Sequence, residues 1–118
     1  METKTNSYQP SMEELAKVGD NILGSLARWV WLGIPTGSFL RGVLTNDLHM
    51  TVRHADPNSM KALPDIVRFL NHIPIAAWGD RQSIESWMLY LRDRETINDN
   101  KSDHGMEQYE WLKEWINR

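Results

Sequence analysis

Apolar residues recur at intervals of three and four along most of the chain, with polar residues between them, and this spacing predicts helices rather than strands. The first run opens at Ser11-Met12-Glu13-Glu14, a Ser-x-x-Glu capping box in which the Ser11 hydroxyl accepts the Glu14 amide and the Glu14 carboxylate reaches back. A pause is expected at Gly19-Asp20, where Asp20 caps a second start ahead of Ile22, Leu23, Leu26, Trp29, Val30 and Leu32. Gly33, Pro35 and Gly37 mark the clearest break in the chain. Ser38 is expected to cap the next helix, which Phe39, Leu40, Val43, Leu44, Leu48 and Val52 carry as one apolar stripe to near Ala55.

Asp56-Pro57 supplies an N-cap followed by proline at the first helical position. Met60, Leu63, Ile66, Val67, Leu70 and Ile73 then form a stripe in which Pro64 predicts a kink or a restart. A second loop runs from Pro74 to Asp80, after which Asp80 or Ser83 caps a helix packing through Ile84, Trp87, Met88 and Leu91. Arg92 to Asp103 is almost wholly polar, and Met106, Tyr109, Leu112, Trp115 and Ile116 predict a short last helix. The expected fold is all-α: a single compact helical bundle of about five helices with short loops. Its parts are a flexible tail over 1–10, a helical core over 11–94, a polar linker over 95–105 and a C-terminal helix over 106–118.

A length of 118 residues fits one domain, large enough to fold without disulfides or a structural metal, and the absence of cysteine is compatible with a reducing cytosol. No stretch approaches the roughly 20 apolar residues needed to cross a bilayer, and Met1 to Pro10 has no apolar signal-peptide core. The expectation is a cytoplasmic protein with no membrane partner. A formal net charge of −3 argues against a duplex nucleic-acid binder. Charge is uneven, however: Leu26 to Arg81 carries six positive and four negative groups, whereas Gln82 to Arg118 carries five positive and eight negative. A small anionic ligand is therefore expected in the middle of the chain.

The string Gly33-Ile34-Pro35-Thr36-Gly37-Ser38-Phe39-Leu40-Arg41-Gly42-Val43-Leu44-Thr45-Asn46-Asp47-Leu48 resembles a widespread family of small proteins of tailed bacteriophages and prophages. The similarity continues through Ala55-Asp56, Asn58, Leu63, Asp65-Ile66-Val67-Arg68-Phe69-Leu70-Asn71, Pro74 and Trp78-Gly79-Asp80 to a helix containing Trp87. It covers roughly Leu26 to Leu91, and its pattern is specific for membership but not for an activity. Pro64 and the tail from Arg92 to Arg118 depart from the family's pattern, which puts the course of the third helix in doubt and leaves the tail unexplained. The resemblance implies a viral origin and a role in the cytoplasm of an infected bacterium. Helical phage proteins that sequester nucleotide immune signals, the anti-CBASS and anti-Thoeris sponges, suit the residues that follow.

The Gly33 to Ser38 loop feeds a helix N-terminus, where free amides favour a phosphate and Arg41 lies one turn in. Its plain alternative is a loop that ends one helix and begins another. Trp78-Gly79-Asp80-Arg81 offers an indole to stack on a base and a guanidinium for a phosphate, or else a tryptophan folded back over the core. Trp29 and Trp31 lie about 200° apart on a helix, so one of them must face away from the core, toward a subunit contact or beneath the C-terminal helix. Asn46, Asp47, His49, Arg53 and His54 lack metal-ligand spacing, and Asp47 on the apolar stripe is expected to staple helices together. His72 and His104 have no orienting partner in the sequence and make poor general bases.

These signals point to a non-catalytic phage protein, without cofactor or metal, that sequesters a small phosphorylated nucleotide, either a cyclic oligonucleotide or an ADP-ribose derivative. Ser38 and Arg41 would receive phosphate, Trp78 would stack, and Arg53 and Arg81 would neutralise charge. A homo-oligomer, dimer or tetramer, is the expected assembly. The alternative is an interaction module that blocks a host protein through exposed tryptophans and an acidic C-terminal segment.

Overall fold

A computed structural model describes residues 10–97 and 106–117, and all of their regular structure is helical. Six α-helices run in order: α1 Met12–Val18, α2 Asp20–Leu32, α3 Ser38–Leu44, α4 Leu48–His54, α5 Pro57–Phe69 and α6 Arg81–Ile97. Short 3-10 turns at Leu70–His72 and Ile75–Ala77 link α5 to α6, and a longer 3-10 helix spans Met106–Trp115. The expected tail over 1–9 and the linker over 98–105 lie outside the described residues.

Several boundaries follow the sequence chemistry. Both bonds of the Ser11/Glu14 capping box are made, at 2.9 and 3.1 Å. Gly19, at φ 92°, separates α1 from α2, but Gly19 rather than Asp20 is the N-cap, and the Asp20 carboxylate instead accepts the Trp115 indole N–H at 3.3 Å. Gly33 ends α2 in the left-handed region at φ 71°, where a side chain would be strained. Asp56 caps α5 ahead of Pro57, and the Asp80 carboxylate takes the Ser83 amide at the head of α6.

The predicted single helix from Ser38 to near Ala55 is in fact two. Asn46 adopts φ 59°, a conformation its short polar side chain tolerates, and the Asp47 carboxylate accepts the Met50 amide as the N-cap of α4. Asp47 is thus an exposed helix start, not a buried staple. The turn folds α4 back on α3 so closely that a Cβ on Gly42 would lie 2.6 Å from the Thr51 amide nitrogen. Pro64 causes no restart: α5 continues through it as one helix.

One core draws on five α-helices and the C-terminal segment. Trp29 of α2, Leu44 of α3, Ile66 of α5, Trp87 of α6 and Leu112 of the last segment are all essentially sealed from solvent. Helix α4 is the exception, burying only Thr51, a polar residue. The C-terminal segment is a 3-10 helix rather than an ordinary one, and its three-residue turn puts Met106, Tyr109, Leu112 and Trp115 in one buried row. It lies against α2, where the Trp31 indole donates to Tyr109 O at 3.0 Å and Arg28 Nη1 donates to Ile116 O at 3.0 Å. Trp31 is therefore enclosed by this segment, with Lys113 Nζ 4.3 Å above its ring.

Candidate functional site

The Pro74 to Asp80 loop is pinned on both sides of Trp78. The buried Trp29 indole donates to Ala77 O at 2.9 Å. Beyond Trp78, the Gly79 amide donates to Leu44 O at 2.7 Å while the Asn46 side-chain amide donates to Gly79 O at 2.8 Å. Gly79 itself stands at φ 139°, so the loop's path needs glycine there. The two motifs of the family resemblance, Thr45-Asn46-Asp47 and Trp78-Gly79-Asp80, thus lock onto each other, and most of their polar groups are spent on folding. Asp47 and Asp80 are helix caps, and Asn46 is the clamp between the loops.

Held this way, the half-buried Trp78 forms one wall of a cleft of about 130 Å³ between α3, α4 and α5. Gly42, Val43 and Thr51 line it from the α3–α4 pair, Asn46, Asp47 and Leu48 from the turn and the start of α4, and Leu63, Val67 and Leu70 from α5 and the 3-10 turn after it. The Trp78 indole N–H is buried and has no acceptor among the described residues. An unpaired buried donor costs about 1–3 kcal/mol.

The five residues expected to hold a ligand are not gathered in this cleft. Trp78 is the member that lines it; Arg41, half-buried, lines a separate shallow depression with Trp29, Pro35, Thr36 and Met88. Ser38 is the first residue of α3, exposed and not its cap, because Gly37 occupies that position. Arg53, in the last turn of α4, and Arg81, at the start of α6, are both exposed and have no charge partner among the described residues. Sequence reasoning weighed Asn46 and Asp47 only for a metal site and a helix staple and passed over Thr51, because it missed the break between α3 and α4. The Asn-Asp pair was the available signal for it.

None of the six tryptophans is fully exposed: Trp29, Trp87 and Trp115 are buried, and Trp31, Trp78 and Trp111 are half-buried. Trp111 stacks edge-on to Phe69 and Trp115, with centroids 6.0 and 6.3 Å away. The surface carries aliphatic residues instead. Leu48 is 72% exposed and Val52 45%, one turn apart on α4, while Met60 and Val67 of α5 are 42% and 48% exposed. Among the described residues no three His, Asp or Glu side chains are grouped as a metal site, and no helix is long and apolar enough to cross a membrane.

His72 Nε2 lies 3.6 Å from the Glu14 carboxylate, tying the end of α5's apolar stripe to α1. The Ser11 amide holds the Glu14 carboxyl below its ordinary range, with His72 adding to the effect. Asp56 and Asp80 are lowered likewise by the amides of Ser59 and Ser83. These are signatures of helix caps rather than of catalytic groups. Compared with known protein families, curated proteins and solved structures, the chain has no match in any of the three.

Proposed function

We propose that this chain is a non-catalytic binding protein that captures a small phosphorylated ligand, a signalling nucleotide such as a cyclic oligonucleotide or an ADP-ribose derivative. In the infected bacterial cytoplasm that the phage resemblance implies, such capture would keep the signal from its receptor and blunt an antiviral response. The observation that carries this reading is the cleft at Trp78, whose indole is fixed in advance by the clamps on Ala77 and Gly79. A preorganised aromatic wall gives up little freedom when a flat base settles on it, and stacking of this kind is worth about 1–3 kcal/mol per base. Arg53 and Arg81, which do not line the cleft but are exposed and have no charge partner among the described residues, are the cations proposed to pair with phosphate.

The exposed aliphatic residues of α4 and α5 favour a second reading, in which a host protein is the target. That reading no longer rests on exposed tryptophans. It rests on Leu48, Val52, Met60 and Val67, and on Glu107, Glu110 and Glu114, which face solvent on the C-terminal segment.

Native mass spectrometry of the purified protein with cyclic di- and trinucleotides and cyclic ADP-ribose products tests the first reading. The expected result is retention of an intact, unmodified nucleotide, lost in Trp78→Ala and weakened in Arg53→Ala and Arg81→Ala. A mass unchanged across the panel, at ligand concentrations far above micromolar, would overturn it for these ligands and leave the protein-target reading.

A further inference from the structure

The cleft at Trp78 is small and its chemistry is one-sided. Its volume of about 130 Å³ compares with roughly 300–1,000 Å³ for ordinary small-molecule sites, so one chain holds a base-sized group and little more. Leu63, Val67 and Leu70 make the wall from α5 and the turn after it apolar. Among the described residues that line the cleft, Asp47 is the only ionisable one. A phosphate is therefore disfavoured inside it, and Arg53 and Arg81 stand outside it. A group that enters meets the Trp78 indole and a carboxylate together.

These two groups are fixed relative to each other. The Asn46 side chain, one residue before Asp47, donates to Gly79 O, one residue after Trp78, at 2.8 Å. The Asp47 amide donates to Gly42 O at 2.8 Å, and Asp47 O accepts two bonds from Thr51, from its amide at 3.0 Å and its hydroxyl at 2.8 Å. Asp47 Oδ1 accepts the Met50 amide at 3.0 Å. A carboxylate has about four acceptor positions, and beyond this capping bond the Asp47 side chain has no other partner among the described residues. The cap orients the carboxylate without consuming it.

A paired acceptor beside an aromatic wall selects among bases by the donors on their Watson–Crick edges. Guanine presents an N1–H and an N2 amino group side by side, and a carboxylate accepts both. Adenine and cytosine set a ring-nitrogen acceptor beside their amino group, which a carboxylate repels, and uracil flanks its N3–H with two carbonyls. We infer that the Trp78 cleft takes a guanine base, stacked on the indole with its N1–H and N2 amino group donated to the Asp47 carboxylate and the phosphates left outside. Guanine recognition here rests on the nucleotide reading above and narrows its ligands from ADP-ribose derivatives, whose base is adenine, to guanine-containing cyclic oligonucleotides. Asp47 is then the residue that determines specificity, in addition to capping α4.

Isothermal titration calorimetry of the full chain with cyclic di-GMP, cyclic di-IMP and cyclic di-AMP provides the test. The guanine ligand should bind about 5–150-fold more tightly than the adenine ligand, the range for one well-made bidentate base contact. The hypoxanthine ligand, which keeps N1–H but lacks the N2 amino group, should fall between them. Asp47→Asn retains a side-chain oxygen for the Met50 amide, and asparagine caps helices as well as aspartate does, so its circular dichroism should be unchanged. Its amide nitrogen, a donor, would face the base, so the preference should pass from guanine to adenine, whose N1 accepts. Asp56→Asn, at the cap of α5 and outside the cleft, should leave the preference as it is. Equal affinity for cyclic di-GMP and cyclic di-AMP, or a guanine preference that survives Asp47→Asn, would overturn the inference and leave the nucleotide reading intact. Binding of none of the three would overturn it too, and the wider panel above then decides the nucleotide reading separately.

Discussion

Gly42 is the residue on which the α3–α4 pair turns. A methyl group there would sit 2.6 Å from both the Thr51 amide nitrogen and Thr51 Oγ1, distances that only a shift of backbone could relieve. Gly42→Ala is expected to lower stability by about 1–3 kcal/mol in urea denaturation, even though alanine is the better helix former. Loosening this crossing should also release Asn46 from Gly79, so the fluorescence of Trp78 is expected to change before global unfolding. Residue chemistry was legible in the sequence where one side chain does one local job, as at Ser11, Gly33, Asp56 and Asp80. It was not legible where the job depends on a distant partner. Nothing next to Asn46 in sequence reveals the Gly79 carbonyl, and nothing next to Asp20 reveals the Trp115 indole.

At the scale of the element, the misreading of α3 and α4 as one rod has a physical cause. Leu40, Val43, Leu44, Leu48 and Val52 keep helical spacing across the break, so periodicity alone cannot see it. The turn at Asn46 then rotates α4, and the last two of these residues face solvent instead of core. The same change moved the candidate site: the cleft lies where the Asn46 turn folds α4 back on α3, and only Trp78 among the five expected residues borders it. Helix α5 makes its own prediction. Pro64 is exposed and deprives Met60 O of an amide donor, so Pro64→Ala is expected to stabilise the protein by about 1–3 kcal/mol, read as a rise in thermal midpoint. The capping carboxylates set the response to acid. Glu14, Asp56 and Asp80 all titrate below their ordinary values in the folded state. Their stabilising effect is therefore full above the unfolded carboxyl range and is lost as pH falls through the folded values. Thermal melts between about pH 5 and pH 2 should show a falling midpoint, and Glu14→Gln/Asp56→Asn/Asp80→Asn should start lower at neutral pH and fall less.

Across the whole molecule, the 3-10 helix over Met106–Trp115 completes the core. Leu112→Ala, at a fully buried position, is expected to cost about 2–5 kcal/mol in the same urea titration, as much as a core substitution in α2. Sequence reasoning placed this segment as a helical element with Trp115 in its apolar row, but left open whether Trp111 and Trp115 face solvent. The row Met106, Tyr109, Leu112, Trp115 repeats every three residues, the period of the tighter helix, and that regularity was the signal for both its geometry and its burial.

The bond between Asp20 and Trp115 joins residues 95 apart. During synthesis, α2 leaves the ribosome long before the segment that will cover it, and at ~5–20 residues per second the wait from residue 32 to residue 115 lasts about 4–17 s. For that interval the side of α2 that carries Trp31 has no cover, so a nascent chain stalled before Met106 offers an apolar strip to chaperones and proteases. Folding of this protein is thus tied to the emergence of Trp115, and truncation before Met106 is expected to leave the Trp31 side of α2 uncovered and the core incomplete.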